Sequence, residues 1–400
     1  MSHLPTATPP PPLAGVRVLD FTRLLPGPAC TQILAEFGAE VIRVEDASRA
    51  DGGDFLRPLA DDERARAATF GRGQLYRMIN RGERSIALNL KTSQGQAIAR
   101  ALAARSQVLV EGFRPGVMSR LGLGQEALLA DTPSLVYCSI SGYGQSGPWA
   151  HWAGHDINYL ALTGVLEQNR APDGRPILSS VQWADLASGA LNAVIAILAA
   201  LLPARTLGVG RHLDIAMAQG LYGLQASIRS LLDSTGQQPP AGQTMLTGGV
   251  ASYQVYATLD ARWLAVGALE PHFWVEFCRV LECPDLLDQG LVGGVAGQRA
   301  IARVASLIGA QPLAHWLERF AGRDCCVTPV LSLAEAATHG PYPRQSDRIF
   351  PISLGGDPLS DAPECGADGA ALLAELGYDS ADIDGLVRER ALRLPAGHRT

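Results

Sequence analysis

The segment 15–45 alternates two apolar strands with one helix, and this pattern is the strongest constraint on the fold. Val16 to Phe21 predicts the first strand, and Pro26-Gly27-Pro28 then predicts a turn before an amphipathic helix. Gly38 predicts the end of that helix, and Val41 to Val44 predicts the second strand. Two strands joined through a helix form a βαβ unit, in which the strands lie parallel.

The same alternation continues along the chain and extends the predicted sheet. A helical pattern occupies Thr92 to Ala104, between short apolar segments that predict further strands at Ser85 to Leu90, Val108 to Phe113 and Leu135 to Ile140. Alternating strands and helices predict a parallel sheet covered by helices, so the fold class is α/β with a Rossmann-like large domain. The dinucleotide motif GxGxxG and the P-loop motif are absent, which argues against NAD as the ligand.

Composition and turn signals divide the 400 residues into five predicted parts. A smaller α+β domain is predicted from its aromatic strands, the hairpin turn Leu259-Asp260-Ala261 and the helices that begin near Pro271. The predicted parts are a disordered tail (1–12), a large α/β domain (13–215), a linker helix (216–244), the small domain (245–331) and a C-terminal segment that returns to the large domain (332–400).

Bulk composition excludes several classes of function. Hydrophobic residues make up 47% of the chain and charged residues 18%, which is typical of a globular enzyme. The formal net charge of -6 argues against nucleic acid or an anionic membrane as partner. The apolar stretch Ala193 to Leu202, closed by Pro203, is too short to span a bilayer and predicts a buried helix. Seven scattered cysteines and no leader-like N-terminus indicate a cytoplasmic location.

Ionisable residues stand out among apolar segments at Gly154-His155-Asp156, Asp185 and Glu270. A histidine and a carboxylate that face each other across a cavity can each hold or release a proton, as a reaction needs when hydrogen leaves one face of a carbon and returns on the other. Each residue also has a structural interpretation. Asp156 and Asp185 each stand where a helix N-cap is expected, Glu270 precedes Pro271 in a first turn, and His155 alone is an ordinary surface or core histidine.

Cationic and polar residues follow the predicted strands, where ligands of open α/β sheets bind. Lys91 follows the third strand and Arg114 the fourth, and Arg114 and Arg120 flank Pro115-Gly116. These side chains are candidate ligands for the phosphates of an anionic carrier, although isolated arginines are usually solvated surface charges. His151 and His155 have a spacing compatible with zinc, but Trp152 replaces the glutamate of HExxH, so no metal site is predicted.

With these residues identified, the chain resembles the family III coenzyme A transferases (the CaiB/BaiF superfamily) and, among them, the α-methylacyl-CoA racemases. The resemblance is spread over most of the chain. The matching segments are LAGVRVLDFTRLLPGPACTQILAEFGAEVIRVE (13–45), RSIALNLKTSQG (84–95), LVEGFRPGVMSRLGLG (109–124), SGYGQSGP (141–148), GHDINYLALTGVL (154–166), GRHLDIAMAQG (210–220), AVGALEPHFW (265–274) and DCCVTPVL (324–331).

The resemblance implies a fold, a partner and a set of site residues. Two protomers would thread through each other as an interlocked homodimer, with coenzyme A bound at the strand ends as part of the substrate and no permanently bound cofactor. His155 and Asp185 would be the two acid/base groups, Glu270 would partner His155, and the backbone N–H of Asp156 would stabilise an enolate. The coenzyme A contacts would be Lys91, Phe113, Arg114, Arg120 and Tyr159.

Some segments depart from the racemase pattern. Leu186-Ala187-Ser188-Gly189 resembles the transferase version of the segment after the aspartate, Thr247 replaces an acidic residue, and 51–78 is longer than usual. In the transferases the residue matching Asp185 is a nucleophile that forms a mixed anhydride. The leading hypothesis, from the racemase resemblance, is epimerisation of a 2-methyl-branched acyl-CoA thioester. The alternative is transfer of coenzyme A between carboxylic acids. A third hypothesis is a catalytically idle CoA-binding scaffold.

Overall fold

The computed structural model describes residues 10–49, 52–54, 56, 72–171, 173–340 and 358–395. The predicted tail 1–12 therefore lies outside the described residues except at 10–12, as does most of the long segment 51–78. The described residues form two compact units. The first unit is drawn from Met1–Thr163, Ser179–Leu224 and Ser346–Thr400, and the second unit from Gly164–Leu178 and Gln225–Gln345.

A seven-stranded sheet forms the centre of the first unit, with the strand order β10-β3-β2-β1-β4-β5-β6. All neighbouring pairs are parallel except β10 with β3, and this order of the parallel strands is the Rossmann order. The strands are β1 (Arg17–Phe21), β2 (Glu40–Asp46), β3 (Glu83–Leu88), β4 (Val108–Glu111), β5 (Val136–Ser141), β6 (Arg211–Ala216) and β10 (Leu392–Arg393). The predicted parallel α/β sheet is thus confirmed.

Helices cover both faces of this sheet. The sheet core is apolar because central parallel strands are buried on both sides: Leu19, Ile42 and Ile86 are each fully buried. Burial of one such side chain stabilises the fold by about 1.5–3 kcal/mol. The helices of the first unit are α1 (Pro26–Glu36), α2 (Arg72–Ile79), α3 (Ser93–Ala104), α4 (Val117–Arg120), α5 (Gln125–Asp131), α6 (Asp156–Leu162), α8 (Asn192–Leu207), α9 (Met217–Leu224), α15 (Gly369–Glu375) and α16 (Ser380–Arg388).

The βαβ unit predicted for 15–45 is present, with two corrections. Pro26-Gly27-Pro28 is not a separate turn but the first turn of α1, because proline at the first helical positions needs no hydrogen-bonded N–H. The helix is also not amphipathic, since every residue from Gly27 to Glu36 is buried. It contacts the sheet strands β1 and β2 and also the helical run that contains Ala184–Leu191 and α8, so it has no solvent-facing side.

One helical run, Ala184–Leu207, is longer than the sequence predicts. It begins as a π-helix over Ala184–Leu191 and continues as α8, so Asp185 lies inside the helix and not directly before it. Pro203 does not end α8. The helix continues past it to Leu207, and the missing N–H of Pro203 leaves the carbonyl of Ala199, four residues earlier, without its usual intrahelical donor.

The length of this run also changes the membrane prediction. At 24 residues, Ala184–Leu207 is long and apolar enough to cross a membrane, although 44% of its most apolar window is buried inside the protein. The prediction that the apolar segment is too short is therefore wrong. Buried core helices meet the same criteria of length and composition, so one such helix is weak evidence for a membrane span.

The second unit contains a three-stranded antiparallel sheet of β7 (Tyr253–Ala257), β8 (Trp263–Gly267) and β9 (Val327–Pro329). The predicted hairpin turn is present, with Ala261 at a positive φ of 55°. The helices are α7 (Val165–Gln168), α10 (Ala226–Thr235), α11 (Pro271–Leu281), α12 (Gly294–Ile308), α13 (Leu313–Phe320) and α14 (Leu333–His339), with 3₁₀ turns at Met245–Thr247 and Pro284–Leu286. The linker helix predicted within 216–244 is divided between α9 and α10 because Gln225 leaves helical geometry.

Candidate active site

A cavity of about 670 Å³ lies at the carboxyl ends of β1, β4 and β5. The parallel strand order reverses between β1 and β4, which is the switch point where ligands of open α/β sheets bind. The lining of this cavity includes the segment after β1 (Thr22, Arg23, Leu24) and the turn after β4 (Gly112, Phe113, Arg114, Pro115). It also includes Asp185 and the segment before and within α6 (Trp152, Gly154, His155, Asn158, Tyr159).

His155 lines this cavity from the start of α6, as the sequence predicts. It is the N-cap residue in extended geometry, and its backbone N–H donates to Asn158 Oδ1 at 3.0 Å. The Tyr159 hydroxyl donates to the carbonyl of Gly154 at 2.8 Å. A Cβ at Gly154 would lie 2.7 Å from the Tyr159 ring, so only glycine allows this close approach. Tyr159 thereby holds Gly154, the residue that precedes His155, in place.

Asp185 lines the same cavity from the first turn of the π-helix Ala184–Leu191. Single π-helical turns within α-helices are frequent at functional sites. Burial raises the pKa of Asp185 to about 7, and the negative charge of Asp156 acts in the same direction. A carboxyl group that titrates near neutral pH can both accept and donate a proton under ordinary conditions.

Asp156 acts on Asp185 through its side chain. Its Oδ1 atom accepts hydrogen bonds from the backbone N–H groups of Ala184 at 2.7 Å and Asp185 at 3.2 Å. Burial raises the pKa of Asp156 as well, although these two hydrogen bonds oppose the shift. The α6 start and the π-helix start are thus joined directly, which places His155 and Asp185 on the walls of one cavity despite their separation in sequence. Sequence patterns do not reveal this bond.

The predicted coenzyme A contacts differ in which cavity they line. Arg114 and Tyr159 line the main cavity, while Lys91 lines an adjoining cavity of about 250 Å³. Phe113 lines both cavities. Burial raises the pKa of Tyr159, the nearby Asp185 adds to this, and the positive charge of Arg114 opposes it, so Arg114 lies close to Tyr159. Arg120 is exposed at the end of α4 and lines neither cavity.

Two cationic residues that line the cavities, Arg23 and Arg43, are not among the site residues predicted from the sequence. Arg23 follows β1 directly and lines both cavities, a position that the strand-end argument could have identified. Arg43 lines the smaller cavity from within β2 and is 1% exposed. Its guanidinium donates to Asp54 Oδ2 at 2.9 Å and lies within 4.0 Å of Glu45 and Glu83. An arginine within a strand carries no sequence signal for such a site.

Glu270 lies in the second unit. It is exposed and is the N-cap residue of α11, where its carboxylate makes no capping hydrogen bond. Burial raises the pKa of the Cys326 thiol, and the charge of Glu270 adds to this, so these two side chains are neighbours. Among the described residues, no group of three or more His, Cys, Asp or Glu side chains is arranged to hold a metal ion.

The chain is similar over most of its length to proteins that act on acyl-CoA thioesters. The profile of CoA-transferase family III matches residues 13–351. The α-methylacyl-CoA racemase of Mus musculus is 37% identical over 329 residues, which cover 82% of this chain and 80% of the relative. The succinyl-CoA:glutarate CoA-transferase of Mus musculus is 34% identical over 331 residues, covering 81% of this chain and 73% of the relative.

Solved structures agree with these sequence relatives. The crystal structure of a CAIB/BAIF family protein from Brucella suis superposes with a TM-score of 0.72 and 27% identity, covering 91% of this chain and 99% of that one. The Rossmann-ordered sheet, the cavity at its switch point and the profile match over residues 13–351 therefore lead to one conclusion. The chain belongs to CoA-transferase family III.

Proposed function

We propose that this acyl-CoA enzyme epimerises 2-methyl-branched acyl-CoA thioesters by transferring a proton from one face of the α-carbon to the other. One observation carries the proposal: His155 and Asp185 line the same cavity, and the pKa of Asp185 is raised to about 7. At neutral pH, Asp185 then exists in both protonation states, as a two-base reaction requires of each of its acid/base groups.

The proposed reaction balances without any further reactant. One of the two side chains, His155 or Asp185 according to the substrate's configuration, removes the α-proton and leaves an enolate on the thioester. The other side chain delivers a proton to the opposite face. The protonated and unprotonated groups have exchanged roles at the end of each turnover. The backbone N–H of Asp156 is proposed to stabilise the enolate oxygen, and its side chain to hold Asp185.

The remaining parts of the proposal concern binding and assembly. Coenzyme A, carried as part of the substrate, would extend from the main cavity past Phe113 toward Lys91, with Arg114 and Arg120 near its anionic groups. Glu270 would partner His155 in an interlocked homodimer. A cytoplasmic location, with neither nucleic acid nor membrane as partner, agrees with the net charge of -6 and with seven free cysteines.

Transfer of coenzyme A between carboxylic acids is the second candidate. It is favoured by the transferase-like segment Leu186-Ala187-Ser188-Gly189 and by relatives named as transferases. Asp185 would attack the thioester carbonyl and expel the coenzyme A thiolate, which gives a mixed anhydride between the acyl group and Asp185. The thiolate would then attack the Asp185 carbonyl of this anhydride, releasing the donor acid and leaving an aspartyl-CoA thioester. The acceptor carboxylate would displace the thiolate to form a second anhydride, and return of the thiolate to the acceptor's acyl carbon would give the new acyl-CoA and free Asp185. A nucleophilic carboxylate must be ionised, so a pKa near 7 suits this role less well than proton transfer.

Isotope exchange separates the two reactions. A single epimer of a 2-methylacyl-CoA is incubated with the enzyme in deuterated water without an acceptor acid. We expect deuterium at the α-carbon together with formation of the second epimer, both followed by NMR. An enzyme that incorporates no deuterium yet moves coenzyme A to added carboxylic acids would contradict the proposal.

Two variants assign the roles of the side chains. Asp185→Asn removes a group needed by both reactions, whereas His155→Gln removes one needed only for epimerisation. We expect each to lower the rate at which the second epimer forms by about 100-fold or more, because a positioned acid/base group contributes 10²–10⁴-fold. His151→Gln is the matched control, since His151 is also exposed in the same segment but does not line the cavity. Full epimerisation by His155→Gln would exclude the two-base mechanism.

A further inference from the structure

Glu111 is a buried carboxyl group that the proposed reaction does not use. It is the last residue of β4 and is 4% exposed. Its Oε2 atom accepts a hydrogen bond from the backbone N–H of Phe113 at 2.8 Å, so the carboxylate closes the turn that follows the strand. That turn carries Phe113 and Arg114 into the main cavity.

The turn lines two cavities. Glu111, Arg114 and Pro115 line a small cavity of about 190 Å³. Gly112, Phe113, Arg114 and Pro115 line the main cavity. Glu111 itself lines the small cavity and not the main cavity, which His155 and Asp185 line.

A line of hydrogen bonds extends from Glu111 across the neighbouring strands. Ser139 of β5 is its register partner, and the Ser139 hydroxyl donates to the Glu111 carboxylate. The Ser139 oxygen also lies 3.0 Å from His212 Nε2 of β6. Since the hydroxyl has only one hydrogen, His212 must donate through Nε2, and burial lowers its pKa and favours this neutral form.

We propose that Glu111 is a positioning residue whose carboxylate holds the Gly112–Pro115 turn in the geometry that binds the coenzyme A part of the substrate, and whose protonation weakens that binding. The inference rests on the proposed function in one respect, namely that coenzyme A binds along this turn.

The direction of the pH dependence follows from the surroundings of Glu111. Burial raises its pKa to about 7, the bonds from Ser139 and Phe113 oppose the shift, and the charge of Asp214 adds to it. Above this pH the ionised carboxylate accepts a strong, charge-assisted bond from Phe113; below it the neutral acid accepts a weaker one. Binding should therefore weaken as the pH falls. The titratable or charged groups that face Glu111 are Tyr137, Cys138, His212, Asp214 and Arg114.

Binding of free coenzyme A, measured by calorimetry between pH 6 and pH 8.5, tests the inference without any turnover. We expect the Kd of the wild-type protein to rise by about fivefold as the pH falls through 7, beyond the change caused by the ligand's own phosphates. Glu111→Gln cannot ionise, so its profile retains the contributions of the phosphates and of Asp185 and should lack this component. Glu126→Gln, an exposed glutamate in the first turn of α5, is the control and should behave as wild type.

Ser139→Ala provides a second variant that keeps the carboxyl group. Loss of the hydroxyl that donates to Glu111 should shift the midpoint of the Kd profile to higher pH. Equal pH profiles for wild type, Glu111→Gln and Ser139→Ala would overturn the inference while leaving the proposed function intact. Absence of coenzyme A binding by the wild-type protein at every pH would overturn both. If the role of Glu111 is merely structural, Glu111→Gln will raise the Kd and lower the stability equally at all pH values and keep the shape of the wild-type profile, and this result would also overturn the inference.

Discussion

At the scale of single residues, the proposed chemistry depends on the effect of the Asp156 carboxylate on the position and the pKa of Asp185. Asp156 accepts the N–H groups of Ala184 and Asp185, and its charge raises the pKa of Asp185. The same side chain therefore fixes the position of Asp185 and contributes to its titration near neutral pH. His155 is adjacent to Asp156 in sequence, so a single dipeptide carries one proposed acid/base group and orients the other.

Asp156→Asn tests this coupling. The amide keeps an oxygen that can accept both N–H bonds but removes the negative charge, so the pKa of Asp185 should fall from about 7 by about 1 unit. More of Asp185 is then ionised at pH 7. NMR titration of the labelled carboxyl carbons checks the shift directly, and the pH profile of α-hydrogen exchange should move to lower pH with it. An unchanged Asp185 titration would show that burial alone sets the pKa.

At the scale of elements, the π-helix Ala184–Leu191 and helix α9 determine where Asp185 lies. Ser188 is buried, and its hydroxyl donates to the carbonyl of Met217 at 2.6 Å, where α9 begins. Gly220 of α9 lies against the same residue, because a Cβ there would be 2.3 Å from Ser188 Oγ and 2.6 Å from Asn192 Nδ2. The two helices are therefore in contact without space for one more methyl group.

Gly220→Ala and Gly223→Ala form a matched pair on α9. The first should destabilise the protein by about 1–3 kcal/mol through overpacking and should lower activity, because the π-helix that carries Asp185 must move. The second places its Cβ in open space and should be neutral or stabilising by up to about 1 kcal/mol. Thermal unfolding and exchange assays check both. Equal effects of the two substitutions would show that the helix contact does not position Asp185.

At the scale of the whole molecule, one exposed apolar stripe is relevant to the proposed interlocked dimer. Ile195, Leu198 and Leu202 follow one face of α8, and Ile195 and Leu202 are 65% and 69% exposed. Contiguous exposed apolar residues of this kind are typical of protein interfaces. We therefore expect this face to be covered in the assembled protein.

Light scattering coupled to size-exclusion chromatography should give twice the 42.3 kDa of one chain. The double variant Ile195→Asp/Leu202→Asp should shift the protein toward monomer because two charges would be buried without partners. Val387→Asp, an exposed apolar position on α16 of the same unit, serves as the control. A wild-type mass of one chain would contradict the dimer, and a dimeric double variant would place the interface elsewhere.

Local patterns in the sequence determined the strands, most helices and the residues at the strand ends, because side-chain periodicity and turn residues act over a few positions. The pattern therefore predicted His155, Asp185 and Arg114 as site residues, and the family resemblance added Phe113 and Tyr159; these five line the main cavity. Family resemblance added roles that periodicity does not contain.

Only the tertiary structure decided the long-range contacts, the limits of two helices and the pKa values of the buried carboxyl groups. The pairing of β10 with β3 and the bond from Asp156 to the start of the π-helix join segments that no local pattern connects. The continuation of α8 through Pro203 and the full burial of α1 reflect what packs around those helices. The pKa values of Asp185 and Glu111 depend on burial, which exists only after the chain has folded. Sequence thus determined which groups are available for chemistry, and packing determined which of them meet and how they titrate.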